Sequence, residues 1–254
     1  MPRLVRPVLD LVYPPRCLEC GAMGAVLCAA CWARISLYAP PWCSRCGRPL
    51  RDDGAGGERL CPVCRTAGNA GPLDALRVAA AYDGVVRHAV LALKYRGQRR
   101  VAEPLGELLA RAVRTWGVAP DMVTSVPLHS QRQRQRGFNQ SDLLARACAR
   151  HLRAPYRSLL LMRTRATPPQ VGLSAAERRK NVEGAFGLAG RAERHVAGKR
   201  ILLVDDVTTT GSTLDAAAAA LRGAHPATIW GVAVSRPELQ EDHHDGQYWH
   251  GMGN

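Results

Sequence analysis

Long apolar runs are absent from this sequence, and so is any segment with the features of a secretion signal. No segment reaches the roughly 18 consecutive apolar residues that a membrane-spanning helix requires. The first residues, MPRLVRPVLDLVYPPRC, contain only a short apolar stretch that Arg6, Asp10 and prolines interrupt, and they lack a small-residue cleavage site. We therefore expect a soluble, cytoplasmic protein.

Aromatic and acidic residues are also scarce. The chain of 254 residues contains only two Phe, and aromatic residues make up 5% of it. Lys and Arg number 35 against 21 Asp and Glu, which gives a formal net charge of +14. This excess favours either an ordinary solvated face or a polyanionic partner such as a phosphate ester or nucleic acid. Charge alone does not choose between them.

Cysteine, by contrast, is concentrated near the N-terminus. Eight of the nine cysteines form four CxxC pairs: Cys17 and Cys20, Cys28 and Cys31, Cys43 and Cys46, Cys61 and Cys64. Two such pairs complete the tetrahedral thiolate set that Zn²⁺ prefers, so we predict two structural zinc sites without an open coordination position. Disulfides are disfavoured without a secretion signal, four redox pairs in one small module would be unusual, and iron–sulfur clusters usually show tighter cysteine runs.

The local sequence favours a sequential grouping of these pairs, because CLECG and CSRCG end in glycine as knuckle turns do. The first site would then hold Cys17, Cys20, Cys28 and Cys31, and the second Cys43, Cys46, Cys61 and Cys64. An interleaved arrangement stays open. We assign the zinc module to residues 1–66, where the metals should supply much of the folding free energy because the apolar core is small. The ninth cysteine, Cys148, lies in a helical apolar pattern and is predicted to pack in the core.

After a turn-rich linker at 66–72, short apolar runs alternate with helical patterns. ALRVAAAY, DMVTSVP, RSLLLM, RILLVDD and ATIWGVAVSR are predicted strands. VVRHAVLALK, VAEPLGELLARAVRTW, NQSDLLARACARHL and TLDAAAAALRGA are predicted helices. This alternation indicates an α/β fold, a parallel sheet with helices on both faces. We assign it to residues 73–235 and expect the tail at 236–254 to be disordered.

The segment ILLVDDVTTTGST at 201–213 places two adjacent acids at the end of a buried strand. Ligands of parallel sheets bind beyond the carboxyl ends of the strands. Gly211 and the hydroxyls around it precede a helix, an arrangement that binds phosphate. No GxxxxGK[ST] motif occurs, so this is not a Walker A loop. Acids beside such a loop suit a ligand that also presents hydroxyls, such as a sugar phosphate, although Asp206 could instead cap the helix.

VDDVTTTGST resembles the phosphoribosyl-pyrophosphate (PRPP) signature of the type I phosphoribosyltransferases. The resemblance extends to the ComF family, whose members join a double zinc ribbon to such a domain. It rests on stretches such as CSRCGRPL, YDGVVRHAVLALKYRGQRR, RGFNQSDLLARA and LSAAERRKN, and it covers residues 13 to 235 or so. It implies a type I phosphoribosyltransferase-like sheet preceded by two four-cysteine zinc sites, with PRPP and Mg²⁺ as ligands.

The resemblance also implies roles for individual residues. Asp205 and Asp206 would hold the ribose, and Arg178 would be a third catalytic residue. The other residues implied in PRPP binding are Thr209, Thr210, Gly211, Ser212 and Thr213 of the signature, Pro127, Leu128, His129 and Arg132 of the turn after strand MVTSV, and Arg179. Residues 163–184 resemble a flexible loop that closes over PRPP, in which Gln170 and Asn181 are further candidates. Lys94, Arg96, Arg136 and Asn139 either lie near this site or act as helix-end cations and caps.

The function that the resemblance implies is transfer of a phosphoribosyl group to an unidentified acceptor, linked to DNA uptake and to other competence proteins. A non-catalytic hypothesis rests on residues 129–180, where twelve Arg and Lys stand against Asp142 and Glu177. This basic strip could bind single-stranded DNA with strong salt dependence, although only Phe138 and Tyr156 are present for stacking. A PRPP-binding regulator without transfer activity is a third hypothesis. DNA binding by the zinc module ranks below these, since no C₂H₂ spacing is present.

Overall fold

The structure of the protein is a computed structural model that describes residues 13–54, 57–68, 71–167, 174–190 and 192–237. Gln170 and most of the predicted tail lie outside the described residues. None of the helices within these ranges is both long and apolar enough to cross a membrane.

The described elements follow the predicted alternation of strands and helices. The helices are α1 (Ala29–Trp32), α2 (Pro62–Thr66), α3 (Gly84–Tyr95), α4 (Ala102–Trp116), α5 (Ser130–Arg136), α6 (Gln140–Leu152), α7 (Ala175–Val182), α8 (Glu193–Val196) and α9 (Ser212–Arg222), with a 3₁₀ turn at Arg99–Val101. The strands are β1 (Ala75–Ala81), β2 (Met122–Ser125), β3 (Leu161–Arg163), β4 (Phe186–Leu188), β5 (Arg200–Val207) and β6 (Thr228–Arg236).

Four parallel strands form the main sheet, in the order β1-β6-β5-β2. Apolar side chains of β5 alternate between the two faces, so that Leu202 packs toward α3, α4 and α6, and Leu203 toward α9. A strand buried on both faces requires a near-continuous apolar run, which RILLV provides. The prediction of a parallel sheet with helices on both faces is confirmed.

The segment around RSLLLM differs from its prediction. Only Leu161–Arg163 is extended, and it pairs antiparallel with β4 in a separate two-stranded sheet. Leu159 has a φ of 57°, a left-handed conformation that interrupts the extended chain. Helix α7 was also not predicted, although Ser174 and Glu177 form a capping box that the pattern S-x-x-E signals.

The cysteine module packs directly against the sheet domain. Leu37 forms an antiparallel bridge with Ala80 of β1, where the backbone N–H of Tyr38 donates to the carbonyl of Ala79 at 3.0 Å. This contact satisfies backbone groups on the edge of β1 that would otherwise be unpaired. Backbone hydrogen bonds therefore join the module to the edge of the sheet.

Candidate functional site

Asp205 and Asp206 lie at the carboxyl end of β5, where both side chains are buried. Oδ1 of Asp205 accepts hydrogen bonds from Ser141 Oγ at 2.9 Å and from the backbone N–H of Asp206 at 2.9 Å. Oδ1 of Asp206 accepts from the backbone N–H of Val207 at 2.6 Å and lies 3.0 Å from Lys94 Nζ. Oδ2 of Asp206 is buried and has no partner among the described residues. A buried acceptor without a partner fits a ligand that donates, such as a sugar hydroxyl.

Burial and neighbouring charges shift the pKa values of Asp205 and Lys94. Burial raises the pKa of Asp205 to about 7, and the negative charge of Asp206 acts in the same direction. Burial alone would lower the pKa of Lys94, but the charges of Asp206 and Asp205 raise it above its ordinary value. Lys94 is therefore charged at neutral pH. Titratable groups with shifted pKa values of this kind are concentrated at functional sites.

The loop after β5 has the geometry of an anion site. Gly211 is the N-cap of α9 with a φ of 86°, a left-handed conformation that favours glycine. The hydroxyls of Thr210 and Ser212 are 2.6 Å apart, and Thr209 and Thr213 are half-buried beside them. The first N–H groups of a helix have no intrahelical acceptor, so they can bind a phosphate. Gly211, the N-cap residue, has no side chain, and Thr210 Oγ1 accepts from the N–H of Ser212 at 3.4 Å, so Asp206 is not the cap of α9.

The turn after β2 lies beside these acids. The backbone N–H of Val126 donates to the carbonyl of Val204 at 3.0 Å, which aligns the turn with the end of β5. Pro127, Leu128 and His129 follow, all half-buried, and His129 is the N-cap of α5. Asn139 caps α6 and also donates from Nδ2 to the carbonyl of Val126 at 3.0 Å. The structure thus brings the predicted turn to the site, with Asn139 as both a cap and a support for the turn.

Two half-buried arginines converge on Thr167. Arg132 donates to its carbonyl at 2.8 Å, and Arg163 donates to its hydroxyl at 2.5 Å. Burial lowers the pKa of Arg163, and the nearby charge of Arg132 lowers it further. Neither guanidinium forms an ion pair with an acid in the part of the chain that the structure describes. Two cations held together in this way favour binding of an anion.

The remaining predicted residues lie on α7 and at the ends of α3 and α5. Arg178 and Arg179 lie on α7, which packs against α9, and the charge of Arg179 acts on Asp215 in the first turn of that helix. Asn181 is in the same helix and is half-buried. Arg136 lies over the ring of Tyr95, whereas Arg96 is the exposed C-cap of α3. Lys94 is the one of these helix-end cations with a contact to the acids.

Ser141 and Arg163 were not among the residues predicted for this site. Ser141 is only 1% exposed and lies 64 positions before its partner, Asp205. Its place in the first turn of a predicted helix gave no indication of this contact, which depends on how α6 packs against β5. The environment of Arg163 depends on the pairing of β3 with β4, which had no sequence signal.

The eight N-terminal cysteines form two clusters. In each cluster the four Sγ atoms all lie within 4.8 Å of one another, and the grouping is sequential. Cys20 Sγ is 3.6 Å from Cys28 Sγ, and Cys46 Sγ is 3.7 Å from Cys61 Sγ. A tetrahedral site with Zn–S bonds of about 2.3 Å requires about 3.8 Å between sulfurs, whereas a disulfide requires about 2.05 Å. The clusters are therefore compatible with two zinc ions.

Comparison with known proteins agrees with both modules. The model of the double zinc ribbon domain matches residues 8–65, and that of the phosphoribosyl transferase domain matches residues 143–250. The DNA utilization protein YhgH of Escherichia coli is 36% identical over 222 residues, covering 79% of this chain and 94% of that protein. Competence protein F of Haemophilus influenzae is 31% identical over 230 residues, covering 86% of this chain and 96% of that protein. This chain belongs to the ComF family.

More distant similarity is also present. Competence protein ComFC of Bacillus subtilis is 27% identical to this ComF-family chain over 202 residues, covering 77% of each. Among solved structures, glutamine PRPP amidotransferase from B. subtilis matches 57% of this chain and 30% of its own, at 22% identity and a TM-score of 0.39. The ComF-family protein thus combines a double zinc ribbon with a phosphoribosyltransferase domain.

Proposed function

We propose that this ComF-family protein binds PRPP with Mg²⁺ at the carboxyl edge of its sheet and transfers the phosphoribosyl group to an acceptor. The observation that supports this most directly is the buried pair Asp205 and Asp206, with Oδ2 of Asp206 lacking a partner among the described residues, directly before the anion-binding loop of α9. A sugar phosphate satisfies both features, because its hydroxyls donate to the acids while its phosphate accepts from the loop.

Each group of residues has a role in this proposal. The acids accept from the ribose hydroxyls, and Thr209 to Thr213 hold the 5-phosphate. The turn at 127–129 and Arg132 hold the pyrophosphate, with Arg178 and Arg179 contributing from α7. Carboxylates beside the ribose stabilise the positive charge that develops on the sugar as its bond to pyrophosphate breaks. When bound with PRPP, Mg²⁺ would offset the charge of the leaving pyrophosphate.

We further propose zinc as the metal at both cysteine clusters. Four thiolates are a soft, closed ligand set, which suits structural zinc and leaves no position for a catalytic water. Mass spectrometry under native conditions should find two zinc ions per chain. One metal or none would contradict the two-site assignment.

The proposed role in DNA uptake, in the cytoplasm and together with other competence proteins, is supported by relatives named for DNA utilization and for competence. A second candidate function is binding of single-stranded DNA by the basic strip at 129–180. The exposure of several of its arginines favours this candidate; they include Arg134, Arg146, Arg150, Arg153 and Arg157. Phosphate contacts of this kind give an affinity that falls steeply with salt.

One set of binding experiments distinguishes the two candidate functions. PRPP with Mg²⁺ is titrated calorimetrically into the wild type, into Asp205→Asn/Asp206→Asn, and into Asp52→Asn/Asp53→Asn. The last variant is a matched control, since it removes the same charge from two adjacent acids that lie on the exposed surface of the zinc module. We expect the first variant to lose roughly a hundredfold or more in PRPP affinity and the control to keep it.

Equal PRPP affinity in all three proteins would contradict the proposed ribose site. Absence of PRPP binding to the wild type, together with DNA binding that weakens steeply between two salt concentrations, would favour the basic strip as the functional surface. Transfer itself is tested by release of pyrophosphate when candidate acceptors are added to the loaded protein.

A further inference from the structure

The contact between Lys94 and Asp206 joins the end of α3 to the end of β5. Lys94 Nζ lies 3.0 Å from Oδ1 of Asp206, and the two side chains are only 19% and 6% exposed. An ion pair at this depth is weakly screened by salt. Because burying charges is costly unless they are well paired, such a contact strongly affects both partners.

One carboxylate oxygen of each acid is occupied by the protein itself. Ser141 and a backbone N–H hold Oδ1 of Asp205, while Lys94 and a backbone N–H hold Oδ1 of Asp206. Oδ2 of Asp206 has no partner within the described residues. These contacts hold the Asp206 carboxylate by one oxygen and leave Oδ2 as the oxygen that can accept from a ligand.

We propose that Lys94 is a positioning residue of the phosphoribosyl site, which holds Oδ1 of Asp206 so that Oδ2 accepts from a ribose hydroxyl. Its charge also allows two adjacent buried carboxylates to be ionised next to a polyanionic ligand. This inference rests on the proposed binding of PRPP and assigns to Lys94 a role that acts through Asp206.

The alternative to a nearby cation is protonation of the acids. Two neighbouring buried carboxylates favour retention of a proton on one of them. The charged groups that face this pair are Lys94 from α3 and Arg163 from β3, in addition to the acids themselves. Without Lys94, a protonated acid would be a weaker acceptor, and the Asp206 side chain would lose its fixed orientation.

The test compares Lys94→Met and Lys94→Arg with Lys199→Met, which makes the same change at an exposed lysine before β5. PRPP with Mg²⁺ is titrated calorimetrically at two pH values. At about pH 7.5 a buried acid pair without a nearby cation can retain a proton, and at about pH 9 it should have lost most of that proton. At the lower pH we expect Lys94→Met to lose roughly tenfold or more in affinity and Lys94→Arg to lose less. At the higher pH the loss for Lys94→Met should shrink, because the acids ionise. Lys199→Met should match the wild type at both values.

A second measurement needs no ligand and so separates this inference from the proposed function. Carbon NMR of the aspartate carboxyl groups in the ligand-free proteins should show the titration of the acid pair moving to higher pH in Lys94→Met, with Lys94→Arg close to the wild type. Wild-type affinity together with unchanged titration in a folded Lys94→Met protein would overturn the inference. If the wild type does not bind PRPP, the proposed function fails, and the titration alone decides whether Lys94 controls the acids.

Discussion

The two cysteine clusters attach to the same sheet domain by different kinds of contact. In the first cluster, Cys17 and Cys31 are buried in the large apolar core that α3, α4 and α6 form on one face of the sheet. The second cluster has only a small apolar group of its own, in which its cysteines pack with Leu50. The first cluster is thus part of the core of the domain, and the second is separate from it.

Hydrogen bonds from buried arginines attach the second cluster. Arg77 of β1 donates from Nη1 to the carbonyls of Cys43 at 3.2 Å and Ser44 at 2.9 Å, and Arg236 of β6 donates to the carbonyl of Cys46 at 2.8 Å. Both arginines are buried, and neither has an ion pair with an acid in the described ranges. Burial lowers the pKa of Arg77 to about 10, so it is charged at neutral pH.

A zinc ion bound at the second cluster would contribute to the electrostatic balance of the neighbouring domain. Four thiolates with one Zn²⁺ have a net charge of two negative units, and the two arginines supply two positive units. Arg77 also lies 4.4 Å from the ring centre of Trp116, a contact that favours the cation. Loss of metal from the second cluster should therefore disturb β1 and β6, whereas the first cluster would keep its apolar contacts.

The largest expected effect comes from removing one metal ligand in each cluster. Cys20→Ser and Cys46→Ser are a matched pair, because each changes the least buried cysteine of its cluster. Both variants should bind one zinc ion instead of two by native mass spectrometry. We expect a greater loss of thermal stability of the sheet domain in Cys46→Ser, since structural zinc would contribute on the order of 10 kcal/mol and the negative charge of its thiolates would balance the buried arginines. Equal losses in the two variants would contradict the proposed difference in how the clusters attach to the sheet domain.

A smaller effect should follow from substitution of the arginines themselves. Arg77→Met and Arg236→Met remove a buried cation and leave carbonyls of the second cluster without donors. We expect each to lower the free energy of unfolding by about 3 to 5 kcal/mol in urea denaturation, the usual result of breaking a buried charged contact. Arg77→Lys should lose less, because it keeps the charge but not the geometry of the guanidinium. Losses below about 1 kcal/mol would show that the arginines are not required for attachment.

Much of this fold was predictable from local pattern, whereas its long-range contacts were not. The apolar run ILLV and the CxxC spacing indicated a buried strand and two thiolate sites, because each is a property of neighbouring residues. The contact of Lys94 with Asp206 spans more than a hundred positions and depends on how α3 packs on the sheet. Arg77 in ALRVAAAY resembled an ordinary solvent-facing strand residue, and only the docking of the zinc module buries it.

The smallest expected effect tests whether charge also attaches the first cluster. Glu19, within its first CxxC pair, lies 2.6 Å from His88 of α3 and 3.7 Å from Arg34. Both partners are more than half exposed, so solvent screens these pairs and each contributes at most about 1 kcal/mol. Glu19→Gln removes both pairs and should therefore change the free energy of unfolding by at most about 2 kcal/mol and leave two zinc ions bound. A loss as large as that of Arg77→Met would mean that both clusters depend on charge, and that apolar burial of Cys17 and Cys31 is insufficient to attach the first.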